Sequence, residues 1–322
     1  MAHNMLNKQM SPGYANEKVK KVSSFNENDY WDGLVDVHVN NWLFDLDDFE
    51  RETPSRNKAI SFQDEVNKRV KGVAYIFSCC KQLRLSRSVG LTAAICFHRF
   101  YMFEDLVAYH YFEVAATALF VACKSEECRR NLKDVVKVCA KIASGKPDPV
   151  DEESKIYWRW KDLLVKLEEL LLEKLNFDVT PENPYRLAME GLKLDATDSA
   201  KQTVDKEWEK QATNLFGNCT YMFELFSRLP ICLFCSIDSI CALAVVLSSK
   251  KLQVTFPVDF IKKGFNVEVE EVIQCYNDVI SLATEVETLD KYFRILPYIP
   301  RTTHKEIELI FNGMKESTLI EA

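Results

Sequence analysis

The 322-residue chain is poor in turn formers, with 9 glycines and 10 prolines. A β-sandwich or barrel needs many tight turns, so that scarcity argues against both and favours an all-α fold. Glycine-rich phosphate loops are missing as well. No Gly-x-Gly-x-x-Gly, Walker or Gly-x-Ser-x-Gly pattern occurs. The five histidines (His3, His38, His98, His110, His304) are scattered and form no ligand cluster. The sequence therefore offers no catalytic constellation, no metal site and no cofactor site. The longest apolar run, Ile231–Leu247, is broken by Ser236 and Asp238 and is too short for a membrane span. A basic excess is also lacking. The net charge is −7, which argues against naked nucleic acid as the main partner, because phosphate neutralisation supplies that affinity.

What is present is amphipathic helix. Hydrophobic residues make up 47% of the chain and charged residues 28%, ordinary values for a soluble globular protein long enough for two domains. Eleven cysteines are an odd number. Cys79, Cys80, Cys96, Cys123, Cys139, Cys241 and Cys275 sit in apolar helical runs, as small buried hydrophobes do. With no secretory signal at the start, they indicate a reducing compartment. Cys232-x-x-Cys235 lacks a second ligand pair, so buried structural thiols are expected there.

Residues 1–40 lack apolar periodicity and read as a mobile arm. From Ser61 the stripe Phe62, Val66, Val70, Val73, Ile76 and Phe77 marks a helix. Others are expected at Arg87–Phe103, Tyr109–Glu127, Leu132–Ala143 and Ile156–Leu175. The third is apolar almost all round, as a central helix would be. The order then recurs, with one helix opened by Thr180-Pro181 (Pro184 near the start, then Tyr185–Leu194) and others covering Val204–Phe226, Leu233–Lys250, Val258–Lys263 and Val269–Glu287. The third is again rich in small apolar residues. Two consecutive five-helix units describe a duplicated bundle, although the halves share little identity. The division expected is 1–40, 41–178, 179–292 and a tail 293–322, in which Ile307, Ile310 and Phe311 could line one terminal helix. Trp158 and Trp160 read as packing residues, and an exposed pair there could serve a further partner.

Several segments resemble the cyclin family, in particular the transcription-type cyclins. Trp42-Leu43-Phe44 followed by Thr53-Pro54-Ser55-Arg56 is similar to that subgroup's entry motif. It also reads as a turn with Ser55 as a helix cap. His98-Arg99-Phe100-Tyr101 is similar to the end of the second cyclin-box helix. Ala115 to Glu127 with its Lys124-x-Glu126-Glu127 ending is similar to the third helix, and Leu167 to Phe177 to the fifth. The resemblance implies two tandem five-helix cyclin boxes, a nuclear location and no enzymatic activity of the chain's own. It also implies a cyclin-dependent kinase catalytic subunit as partner, with room for a third subunit. The substrate of such a complex would be the C-terminal repeat domain of RNA polymerase II. The family's kinase-contacting Lys and Glu fall on Lys124 and Glu168, and its apolar contacts on Leu172, Phe177 and Val179. On the residues alone, Lys124 is ordinary helix-end chemistry and Glu168 part of a solvated face. The substrate-docking patch of cell-cycle cyclins is missing from Asn67–Val73. The competing readings are a promoter-binding factor of the general-transcription-factor B type, which would need a basic surface, and a kinase-independent scaffold.

Overall fold

The computed structural model describes residues 42–194, 206–288 and 291–313. The expected arm 1–40, the expected helix start at Val204 and residues 314–322 lie outside the described residues. The described chain is all-α, with no strand among its elements.

A short helix α1 (Leu46–Glu52) and a 3-10 turn (Arg56–Lys58) precede the first bundle. Its five helices are α2 (Phe62–Leu83), α3 (Arg87–Phe100), α4 (Tyr111–Ser125), α5 (Leu132–Ser144) and α6 (Lys155–Lys174). Each start is chemically marked. The hydroxyls of Ser61, Ser86 and Ser154 accept from the backbone amides of Asp64, Val89 and Tyr157 at 3.1, 3.4 and 3.2 Å. Arg84 and Gly145 end α2 and α5 in the left-handed conformation. Helix α4 is buried without a break from Val114 to Cys123 and packs against α2, α3, α5 and α6. Its alanines leave room for four neighbours, as its apolar pattern requires.

The second bundle repeats the order with α7 (Pro184–Gly191), α8 (Lys206–Phe226), α9 (Ile237–Leu252), α10 (Phe260–Phe265) and α11 (Val269–Glu285). Helix α9 takes the central place and is buried from Ser239 to Ser249. Helix α7 begins where the sequence places Pro184, near the start of the segment opened by Thr180-Pro181. Asn183 is its cap and Pro184 its first residue, because Pro lacks the amide that a first turn leaves unused anyway. The stretch after 293 joins this core rather than trailing from it. Ile295, Ile299, Ile307 and Phe311 are buried, the last two on α12 (His304–Phe311).

The bundles are not insulated from each other. Phe49, Val66, Val70 and Leu91 of the first half belong to the second half's apolar cluster. His98 in α3 is fully buried at this seam, its Nε2–H donating to the Ser227 carbonyl at 3.0 Å. Burial, with Arg69 adding repulsion, pushes the imidazole down to about 3. Every cysteine among the described residues is a free thiol. Cys79, Cys80, Cys96, Cys123, Cys139, Cys235, Cys241 and Cys275 are buried and Cys232 is half-buried. Trp160 packs into the first core, whereas Trp158 is 51% exposed.

Candidate functional site

Three short pieces of chain meet on one face of the first bundle: the entry segment, the end of α4 and the end of α6. The entry is anchored by a buried carboxylate. Glu65, in the first turn of α2, accepts from Thr53 Oγ1 at 2.7 Å and from Arg56 Nη1 at 2.9 Å through Oε2. Its Oε1 accepts from Arg69 Nε and Nη2 at 2.9 and 2.7 Å. Arg69 has no exposed surface and also donates to the carbonyls of His98 and Tyr101. Buried ions need this density of partners to repay their desolvation. Pro54, half-buried, sits between Thr53 and Ser55 in the turn. Ser55 holds the N-cap position of the 3-10 turn, as expected, but its side chain makes no cap bond. Its hydroxyl is buried and accepts from the Leu106 amide at 3.2 Å, tying the entry to the loop before α4.

Trp42 ties the entry to the exit of the bundle. Its Nε1–H donates to Asp178 Oδ2 at 2.6 Å, and the Arg99 guanidinium lies 4.6 Å above its ring while also donating to Asp178. Phe44, half-buried, packs between the two apolar clusters, and its amide donates to the Leu233 carbonyl. Sequence reasoning named Trp42 and Phe44 but missed Asp178, Glu65 and Arg69. The only available signal was the i, i+4 spacing of Glu65 and Arg69 inside an apolar stripe.

Lys124 and Glu168 come together on this face, with Nζ and Oε1 2.5 Å apart. Their side chains are 51% and 21% exposed, so neither is sealed under the fold. Lys124 also lies 4.2 Å above the Phe120 ring, which holds its stem in place. The pair uses one of three ammonium protons and one of two carboxylate oxygens, leaving donors and an acceptor aimed at solvent. Beside it is an open cleft of about 550 Å³, lined by Phe120, Lys124, Arg129, Arg130, Asn131 and Asp134.

Leu172 stands one turn beyond Glu168 on α6 and is half-buried. The helix ends with Asn176 and Phe177 at positive φ, and this reversal throws the Phe177 ring outward to 72% exposure. The Phe177 amide donates to the Leu172 carbonyl at 2.9 Å, so the turn is fixed. Val179, half-buried, follows it. A charged pair thus stands beside an apolar ledge of Leu172, Phe177 and Val179. Among the described residues, no group of three or more His, Cys, Asp or Glu side chains could hold a metal ion.

The family model for the cyclin N-terminal domain matches residues 45–180. The cyclin pch1 of Schizosaccharomyces pombe is 36% identical over 240 residues, covering 74% of this chain and 66% of that protein. The chain belongs to the cyclin family. Mouse cyclin-T2 is 31% identical over 144 residues, 45% of this chain and 20% of that protein, which places this cyclin with the transcription type. The chain thus spans about two thirds of one of these relatives and a fifth of the other. A chain in the crystal structure of the yeast RNA Pol II CTD kinase CTDK-1 complex superimposes with a TM-score of 0.61. That match covers 87% of this chain and 88% of that one at 15% identity, so it speaks for the two-box fold alone.

Proposed function

We propose that this cyclin is the non-catalytic subunit that binds and activates a cyclin-dependent serine/threonine kinase. Its complex would act in the nucleus on the C-terminal repeat domain of RNA polymerase II during transcription elongation. The observation that carries the reading is the exposed Lys124–Glu168 pair beside the Leu172, Phe177 and Val179 ledge. Such a pair presents strong donors and acceptors to the backbone groups of a docked helix, and the ledge supplies apolar contact. The relatives support the choice of partner, since they are cyclins.

A kinase needs its catalytic Lys, the Glu on its mobile helix and its metal-binding Asp in register. A rigid surface that binds only the engaged position of that helix shifts the population toward it. Moving the kinase from mostly off to mostly on takes about 5 kcal/mol of preferential binding. An interface of roughly 2,000 Å² suits a permanent complex of this kind. Rigidity here comes from α4, buried along its length and surrounded by four helices. No catalytic residue of the cyclin is required.

The test is affinity purification of the full chain from its host, with the wild type, Lys124→Ala and Glu168→Ala compared. A kinase subunit should co-purify with the wild type, and each variant should lower both its recovery and its activity on the polymerase repeat. Recovery of the wild type with no kinase at mild salt would refute the proposal.

A further inference from the structure

The cleft beside the Lys124–Glu168 pair has a chemistry of its own. Arg129 and Arg130 line it from the loop between α4 and α5, and both are exposed. Arg130 is held in place by the backbone. Its Nε, Nη1 and Nη2 donate to the carbonyls of Leu83, Arg129 and Arg84 at 3.3, 3.0 and 3.2 Å. Carbonyls fix a guanidinium without cancelling its charge, and one N–H on each terminal nitrogen is left over. The Arg129 side chain and the Asn131 carboxamide have no hydrogen-bond or ion-pair partner among the described residues. Lys124 adds a third cation at the rim, where it is already shared with Glu168. Asp134 is the one acid in the lining. Two guanidinium groups without a carboxylate thus meet in one cleft of about 550 Å³, on a chain whose net charge is −7.

Such a cleft selects its ligand. Guanidinium groups match the oxygens of a phosphate with paired donors, and one already fixed in position loses little freedom on binding. Phe120 is the only aromatic side chain in the lining, and Lys124 Nζ covers its ring at 4.2 Å. No open ring face is therefore left on which a nucleobase could stack, and stacking is what a single-stranded nucleic acid needs beyond charge. The cleft is open to the surface and continuous, through Lys124, with the face on which a partner chain would lie. We propose that the cleft binds a phosphorylated serine or threonine side chain carried by a peptide segment of a partner protein. Arg130 is the preset half of the clamp, Arg129 swings onto the phosphate, and the Asn131 carboxamide donates beside them. Asp134 opposes the anion and limits its affinity.

Fluorescence anisotropy on the full-length chain tests this, using a short labelled peptide with one phosphothreonine among glycine and alanine residues. Binding should be saturable and at least about tenfold tighter than that of the unphosphorylated peptide. Arg129→Gln, at an exposed side chain without a partner, should weaken it about tenfold, the loss of one charge-assisted contact. Asp134→Asn should tighten it. Lowering the pH from about 7.5 to about 5.5 should weaken it, because the phosphate takes up its second proton near pH 6. Equal affinity of the wild type and Arg129→Gln, or of the phosphorylated and unphosphorylated peptides, would overturn the proposal. So would inorganic phosphate or a nucleoside triphosphate competing as well as the unlabelled phosphopeptide, which would make this a small-anion site. Tighter binding of a single-stranded RNA of equal charge would also overturn it. The assay contains no kinase, so its result stands apart from the function proposed above: a chain that recovers no kinase from its host should still bind the phosphopeptide.

Discussion

Replacing Glu65 with alanine should be among the most damaging single changes in this molecule. The carboxylate accepts from four donors, two on Arg69 and one each on Thr53 and Arg56. Arg69 has no exposed surface, so removing its counter-ion strands a charge in the apolar contact between the bundles. Losing one partner of a buried pair costs about 3–5 kcal/mol, a large fraction of a typical stability of about 5–15 kcal/mol. The entry segment should also come loose, because Thr53 and Arg56 have their side chains on the same carboxylate. Urea denaturation reads the first effect, and hydrogen exchange of residues 46–60 reads the second. The double variant Glu65→Leu/Arg69→Met separates them. It removes both charges, so global stability should return to within about 1–2 kcal/mol of the wild type. Fast exchange of the entry segment should persist, since no acceptor for Thr53 and Arg56 is restored. A Glu65→Ala protein less than 1 kcal/mol below the wild type would refute the account of the entry motif as an anchored strap.

Further expectations follow from the same geometry. His98 is held neutral to about pH 3, whereas an unfolded histidine protonates near pH 6.5. Its contribution is therefore complete above about pH 6.5 and is lost as pH falls toward 3, about 2 kcal/mol by pH 5. His98→Gln keeps a donor for the Ser227 carbonyl and should flatten that slope in denaturation curves measured between pH 7 and 5. A methyl group on Gly72 would sit 2.3 Å from Phe97 Cζ, so Gly72→Ala should lower stability by about 1–3 kcal/mol in the same assay. Lys124→Ala and Glu168→Ala should change the free chain's stability by less than about 1 kcal/mol, because the pair is solvent-exposed. A larger loss would mark the pair as structural. Burial pushes the thiols of Cys80, Cys96 and Cys123 up to about 12, so brief alkylation at pH 8 should label half-buried Cys128 before any of them. Peptide mapping by mass spectrometry checks the order.

The helices were legible because their signals are local. Serine caps, apolar phase and alanine-rich central helices are all written within about 20 residues, and expected and observed ends differ by a few positions at most. The Leu233 start was the exception. Pro230–Leu233 forms a separate 3-10 turn, and α9 begins only after Ser236. An apolar run does not say where a helix is interrupted, and here the Ser236 cap sets the boundary. After 293 the terminal helix through Ile307, Ile310 and Phe311 was expected and is present, whereas the burial ahead of it was not legible. Ile295 and Ile299 lie outside regular helix, so no period announced their burial.

The candidate site was legible only by likeness. Nothing in the spacing of Lys124 and Glu168, 44 residues apart, says that they meet. The contact arises because α4 and α6 pack against each other with both side chains at the rim. The entry motif was read correctly as a fixed turn, but its anchor is a tertiary contact that no cap rule predicts. Glu65 and Arg69 share a helix with the apolar stripe yet face inward, where a charged pair costs more than hydrophobic residues would. That cost gives the hub its meaning. It pins Thr53 and Arg56, and through Trp42 and Asp178 the same entry segment is joined to the turn that presents Phe177 and Val179. Loosening the strap should therefore weaken the ledge beside the Lys124–Glu168 pair, although no strap residue belongs to that pair.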